Sequence, residues 1–295
     1  MIVTRLQGGH SNQLFQYATG RCLAMRLGVE LYMDTQWFST IAEGDTPRVY
    51  ELDHYVFDQK FIDRGDFTLI EDAPTPSKRR LRFFARRPDT PALDHCRQSG
   101  HGFDGRILQL PDNSYLDGWW QDERYFKEIR QTLLEELDLR DPVAGKDAEW
   151  LRQIRNGISV SLHVRRGDYV ANPATKRFHG TLGISYYEAA LERLAELTGQ
   201  PNLELFVFSN DIEWCTQHLR LGYPTTFIDS GNSGAEDMRL MKHCKHHIVA
   251  NSSFSWWGAW LGDHSGNVVI APKNWFSDAQ ANAETEIVPP SWIRL

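Results

Sequence analysis

The chain has 295 residues, 41% hydrophobic and 24% charged, which leaves room for two ordinary folded domains and excludes a largely disordered polypeptide. A formal net charge of −7 excludes broad binding to a nucleic-acid backbone, which needs a positive footprint to displace counterions. The negative mean hydropathy argues against an integral membrane protein. Cys22, Cys96, Cys215 and Cys244 lie far apart with no C-x-x-C, so neither a disulfide scaffold nor a zinc knuckle is expected, and the thiols read as reduced.

Residues 2–6 are a short apolar run without the core of a signal peptide, and nothing near the start is long enough to span a bilayer. With the Gly8-Gly9 turn, an amphipathic stretch over 12–26 and a second apolar run over 29–33, they read as strand, turn, helix, strand: one βαβ unit. Residues 45–109 alternate little and are rich in Pro, Asp and Arg, which predicts loops and short helices. Between Glu123 and Leu139, Tyr125, Phe126, Ile129, Leu133, Leu134 and Leu137 recur at helical spacing before the Asp141-Pro142 stop, predicting a helix that closes the first half.

The second half alternates cleanly. Strands are expected at 159–164, 205–208, 226–228, 247–250 and 268–271, with helices at 184–197, 212–219, 235–244 and 254–261 between them, the pattern of a parallel sheet. Two domains are expected, 1–155 and 156–295. Ligands of such open sheets bind beyond the carboxyl ends of the strands, so chemistry is sought there.

Several literal motifs fail on context. Residues 100–105 satisfy G-x-G-x-x-G, but the residues before them are polar and the stretch after them ends in a proline instead of starting a helix. The two Arg-Gly-Asp triplets and the sequon at Asn251 carry little in a chain without secretion features. His243, His246 and His247 straddle a helix end and a strand, a poor arrangement for a metal. The absence of any P-loop or Asp-x-Asp pair implies that phosphate is held without a metal.

Three strand ends carry chemistry. His163-Val164-Arg165-Arg166-Gly167-Asp168-Tyr169 offers two guanidiniums, whose planar forks suit phosphate and cannot lose their charge; a surface ion pair with Asp168 weighs evenly against that, and the position at a strand end tips it towards phosphate. Ser209-Asn210-Asp211 brings an amide and a carboxylate to the same edge, where capping of the next helix explains one of them. Asn251-Ser252-Ser253-Phe254-Ser255 joins a strand to a helix through small hydroxyls, a ready anion site. Arg165 and that serine turn would clamp a nucleotide diphosphate from two sides. Trp256, Trp257 and Trp260, among ten tryptophans in the chain, read as core before they read as ligand platforms. Glu236 and Asp237 open a helix, where acids favour the dipole; a carboxylate is also what the paired N–H donors of guanine need.

Taken together these segments resemble the bacterial-type α-1,2-fucosyltransferase family over almost the whole chain. Gly8-Gly9-His10-Ser11-Asn12-Gln13-Leu14-Phe15-Gln16-Tyr17 is similar to its opening signature, with Ser11 where a glycine is usual. His163 to Tyr169 matches a block shared with α-1,6- and protein O-fucosyltransferases, and Asn251 to Leu261 matches the more discriminating one, with Ser253 for threonine. The resemblance implies an α/β, GT-B-like fold: two Rossmann-like domains facing each other across a cleft, with GDP-fucose in the C-terminal one. It implies Arg165 on the diphosphate, GDP contacts from Ser252, Ser253 and Phe254, and inverting transfer to the 2-hydroxyl of a galactose-terminated oligosaccharide or glycolipid. No metal or other cofactor is implied. Donor contacts are also expected from Arg166, Asn210, Asp211, Glu236, Asp237, Asn251 and Ser255, and Gly8, Gly9, Asn12 and Gln13 would meet fucose or acceptor.

Arg165, Asp168, His163 and Asn12 are the catalytic candidates. The proton acceptor stays open among Asp168, Asp211, Glu236, Asp237, His163, His10 and the departing phosphate. Residues 77–88 carry Lys78, Arg79, Arg80, Arg82, Arg86 and Arg87 and no acid, which suits a solvated loop first and peripheral contact with anionic lipid second. The missing anchor helix points to a cytoplasmic enzyme of surface-polysaccharide (O-antigen) synthesis. The alternatives are an α-1,6- or O-fucosyltransferase, which has no reason to carry the 251–261 run, and a catalytically silent sugar-nucleotide- or glycan-binding protein.

Overall fold

The computed structural model describes residues 1–40, 47–71, 90–167, 173–229, 231 and 233–295. They divide into two compact units, Met1–Asp138 and Leu139–Leu295. The basic segment 77–88 lies outside the described residues, and among those described no helix is long and apolar enough to cross a membrane.

In the first unit, β1 (Ile2–Arg5) leads through the glycine turn into α1 (His10–Leu27) and back to β2 (Leu31–Asp34), which is the expected βαβ unit. The segment expected to be loops also contributes two strands, β3 (Thr68–Ile70) and β4 (Ala92–Arg97), with β5 (Ser114–Asp117) next in the chain. The five run parallel in the order β2-β1-β5-β4-β3. β4 escapes a pattern search because its inward positions are not all apolar. His95 sits in it with Nδ1 3.0 Å from Glu71 Oε1 and Nε2 3.2 Å from Asp117 Oδ2, so polar pairing replaces the greasy alternation. The helix expected over 123–139 breaks into two single 3₁₀ turns, Glu123–Tyr125 and Lys127–Ile129, before α2 (Arg130–Glu136). Asp122 causes the first break by accepting from the Arg124 N–H at 2.9 Å, which tightens the turn.

The second unit keeps closely to its pattern. Helix α3 (Gly145–Asn156) precedes β6 (Ile158–Val164); then come α4 (Pro173–His179), α5 (Ile184–Thr198), β7 (Leu203–Ser209), α6 (Ile212–His218), β8 (Thr225–Phe227) and α7 (Gly234–Lys242). β9 (His246–Ile248), α8 (Ser253–Leu261), β10 (Val269–Ala271), α9 (Ala279–Glu284) and β11 (Ile293–Arg294) complete it. All six strands are parallel, in the order β11-β10-β9-β6-β7-β8.

The period of two in β7 shows why the sheet is covered on both faces. Leu203, Leu205 and Val207 join Leu191 and Leu194 of α5 in one cluster, while Phe206 and Phe208 meet Trp150, Ile154 and Leu240 from α3 and α7 in another. Each such side chain contributes about 1.5–3 kcal/mol on burial, and that is what attaches α3 to the sheet beside it.

Candidate active site

In the second unit the chain leaves β6 towards β7 and β8, then returns to the other side of β6 to lay down β9, β10 and β11. The order therefore reverses between β6 and β9, and at such a switch point the loops leaving the two strands diverge and open a crevice at their carboxyl ends. The pair stands in register Leu162↔Ile248. The residues beyond it are His163, Val164 and Arg165 on one side and Asn251, Ser252 and Ser253 on the other.

Beyond β9, the Ser252 hydroxyl caps α8 by accepting from the Phe254 N–H at 3.3 Å. Ser255, fully buried, accepts from the Ala250 N–H at 3.2 Å and so pins the turn from inside. Asn251 donates from Nδ2 to the carbonyls of His179, at 2.8 Å, and Trp275, at 3.3 Å. Asn251 and Ser255 thus hold the turn, while Ser253 and Phe254 lie half-buried at the start of a nine-residue helix whose N-terminus carries the positive end of its dipole. Trp256, Trp257 and Trp260 are core residues, with the Trp256 indole donating to the Ile287 carbonyl at 2.7 Å.

Beyond β6 the two arginines part company. The Arg166 N–H donates to Asn210 Oδ1 at 3.0 Å, its Nε lies 3.3 Å from Asp211 Oδ2, and its guanidinium sits 3.7 Å over the Trp214 ring. Asp211 also caps α6 through the Trp214 N–H at 3.3 Å. Arg166, Asn210 and Asp211, expected at the donor, therefore hold one another, and a Cβ at Gly167 would stand 2.2 Å from Asn210 Nδ2, so that amide would have to shift. Arg165 follows the end of β6 and is half-buried. Asp168 lies outside the described residues.

His163 is buried against Phe254, ring centroids 5.4 Å apart. Burial first and the neighbouring Arg165 charge second lower its pKa to about 3. A neutral imidazole with that pKa can donate a hydrogen bond but is a poor general base near neutrality. Glu236 and Asp237 open α7 beyond the end of β8, with β7 between β8 and β6, and Glu236 is paired with Arg239 on its own helix.

The discounted histidines are structural: His247 Nδ1 lies 2.7 Å from the Ser161 hydroxyl and His246 Nδ1 accepts from the Val268 N–H at 3.1 Å. The G-x-G-x-x-G match does come after a strand, β4, contrary to expectation, but it runs into a 3₁₀ helix, Gly105–Gln109, and not into an α-helix whose N-terminus would receive phosphate.

In the first unit the signature turn is built from its own side chains. Gly8 has φ +75°, and a Cβ there would meet Asn12 Nδ2 at 2.8 Å and the Trp119 ring at 2.9 Å. Gln13, fully buried, donates to the carbonyls of Gly8 at 3.0 Å and Val49 at 2.8 Å and accepts from the Glu51 N–H at 2.9 Å. Ser11 lies inside α1, so the turn does not depend on a glycine there. His10 contacts the Tyr55 hydroxyl at 2.8 Å and is held neutral by burial, its pKa lowered to about 3. Asn12 Oδ1 accepts from Gln121 at 2.8 Å. Trp119 beside it is 41% exposed, and its presentation coincides with a positive φ, 53°, at the buried Trp120.

The second unit also holds a cavity of about 480 Å³ at the ends of β9 and β10, reached by Asn251, Thr181, Asn274 and Phe276. Sequence reasoning missed it, although applying the strand-end rule to β10 as well as to β6 and β9 would have found its residues. A larger hollow of about 600 Å³ runs along α5 between Glu188 and Tyr223 and includes none of the residues at the ends of β6 and β9.

The sequence model of glycosyl transferase family 11 matches residues 97–295. The chain belongs to that family. An α-1,2-colitosyltransferase of Escherichia coli is 34% identical over all of this chain and 99% of its own length. The O-antigen biosynthesis glycosyltransferase WbnK of Escherichia coli is 28% identical over 98% and 99%. Galactoside alpha-(1,2)-fucosyltransferase 2 of Mus musculus is 29% identical over 52% of this chain and 51% of its own. A crystal structure of the fucosyltransferase NodZ from Bradyrhizobium is similar with a TM-score of 0.47 and 14% identity over 87% and 91%. In this family 11 glycosyltransferase, Arg165 and the N-terminus of α8 follow the carboxyl ends of two adjacent parallel strands, β6 and β9.

Proposed function

We propose that this family 11 glycosyltransferase transfers L-fucose from GDP-fucose to the 2-hydroxyl of a terminal galactoside with inversion, in a GT-B-like arrangement, without a metal. The observation that carries the reading is Arg165 standing at the end of β6 opposite the Ser252-capped α8 turn at the end of β9. The acceptor oxygen attacks the anomeric carbon from the face opposite the diphosphate, the bond from that carbon to the β-phosphate oxygen breaks, and GDP leaves with the electron pair. Arg165 and the α8 turn stabilise the charge it carries away.

The hydroxyl proton must go elsewhere. His163 and His10 are each held neutral with a pKa of about 3, and Asp211 and Glu236 are engaged by Arg166 and Arg239. Asp168, Asp237 and the departing phosphate oxygen stay as destinations.

The full-length similarity to a protein named α-1,2-colitosyltransferase supports a second reading, in which the sugar lacks one more hydroxyl than fucose. Purified protein is incubated with lactose and either GDP-fucose or GDP-colitose in excess EDTA, and the new linkage is located by NMR. Fucose on galactose O2 with chelator present is the expected result. Preference for GDP-colitose selects the second reading, and GDP release without a trisaccharide product from either donor overturns both.

A further inference from the structure

Along the carboxyl edge of the second sheet the order is β10-β9-β6-β7, so a diphosphate held between β6 and β9 has two ways to extend. Towards β7 stands the Arg166 side chain, packed on Trp214 and paired with Asp211. Towards β10 lies the cavity of about 480 Å³, within the ~300–1,000 Å³ usual for small-molecule sites. Resting on the proposed GDP-fucose transfer, we infer that this cavity receives the sugar ring of the donor.

The lining decides between the parts of a sugar nucleotide. It offers the amides of Asn251, Asn274 and Asn282, the hydroxyls of Thr181 and Ser277, and the His179 and Phe276 rings, with no Asp, Glu, Lys or Arg. A diphosphate would need a cation, and guanine a carboxylate for its adjacent N–H donors. A neutral polyol ring needs amides and hydroxyls that both donate and accept. The methyl group of a 6-deoxy sugar needs apolar surface, and Leu182, Ala279 and Ala283 are the aliphatic side chains of the lining.

The cavity wall is set before any ligand arrives. Asn282 Oδ1 accepts from the N–H groups of Trp275 at 2.7 Å and Phe276 at 3.2 Å, and its Nδ2 donates to Asn274 Oδ1 at 3.2 Å. Asn251 ties the same loop to the residue before Gly180 through its two bonds to His179 and Trp275. Loop 274–276 is therefore stitched from both sides, which fixes the wall geometry that a specific ring requires.

The test uses two variants of the whole protein. Ala283→Trp, at an exposed position of α9, fills the cavity, and Thr181→Val removes a hydroxyl at constant volume. GDP affinity is measured by calorimetry and the KM for GDP-fucose from transfer to lactose. GDP affinity within about 2-fold of wild type, with KM raised at least 10-fold in Ala283→Trp and several-fold in Thr181→Val, is the expected result. A parallel loss of GDP affinity would move the nucleoside into the cavity and overturn the inference, as would unchanged values for both ligands. Wild-type protein that neither binds nor turns over GDP-fucose would instead count against the proposed function, and it is seen before either variant is made.

Discussion

Two strand-to-helix turns in this chain look alike in sequence and behave differently. In Gly8 to Gln13 the polar side chains bond inward: Gln13 binds Gly8, Val49 and Glu51, His10 meets Tyr55, and α1 starts without a side-chain cap. In Asn251 to Ser255, Asn251 and Ser255 brace the turn while Ser252 caps the helix, and Ser253 and Phe254 at its start are only half-buried. A motif thus marks where the backbone must be held as often as where a ligand is held.

The largest effect expected from this contrast concerns Arg165. Arg165→Ala should lower transfer about 100- to 1,000-fold with melting unchanged, because a charge-assisted contact to a leaving group is worth about 3–4 kcal/mol. Arg166→Ala should do the opposite, melting earlier through loss of its Asp211 and Trp214 contacts while the folded fraction keeps most of its rate. Equal rate losses in the two variants would erase the distinction drawn between them.

Next in size is Gln13→Ala, which leaves buried backbone groups of the first turn without partners and should cost about 3 kcal/mol in a urea melt, with kcat/KM of the folded protein nearly intact. A variant that melts normally but loses turnover would return Gln13 to the substrate.

The smallest effect near neutrality concerns pH. His10, His163 and His247 each have a pKa lowered to about 3 by burial, against an ordinary value near 6.5. Below 6.5 the unfolded chain takes up protons that the folded one refuses, so stability is full above about 6.5 and falls as pH drops towards 3. The slope is at most ~1.4 kcal/mol per pH unit for each histidine. Two of the three lie in the second unit, so hydrogen exchange between pH 7 and 5 should show it loosening more steeply than the first, and His247→Asn should reduce that difference. Protection that is flat over this range would contradict burial as neutral imidazoles.

The second unit was legible because β-branched and apolar residues recur in its central strands between helix-like segments; β6 and β7 fall within two residues of their expected ends. The first unit was legible only at its βαβ start. β4 carries Asp94, His95 and Arg97 in its sheet positions, and β3 is a three-residue edge strand, so neither announces itself by composition. The crevice could be placed from strand-end residues alone. That Arg166 rather than Arg165 pairs with Asp211 could not, since it depends on where Trp214 brings its ring.

The order β2-β1-β5 has a consequence for synthesis. Ile2 pairs with Ser114, so during synthesis one side of β1 stays bare until about 110 further residues exist, roughly 6–22 s at ~5–20 residues per second. Until then Ile2 and Val3 offer an open backbone edge to any other nascent chain, and the yield of native protein should depend on how crowded, and how warm, those seconds are.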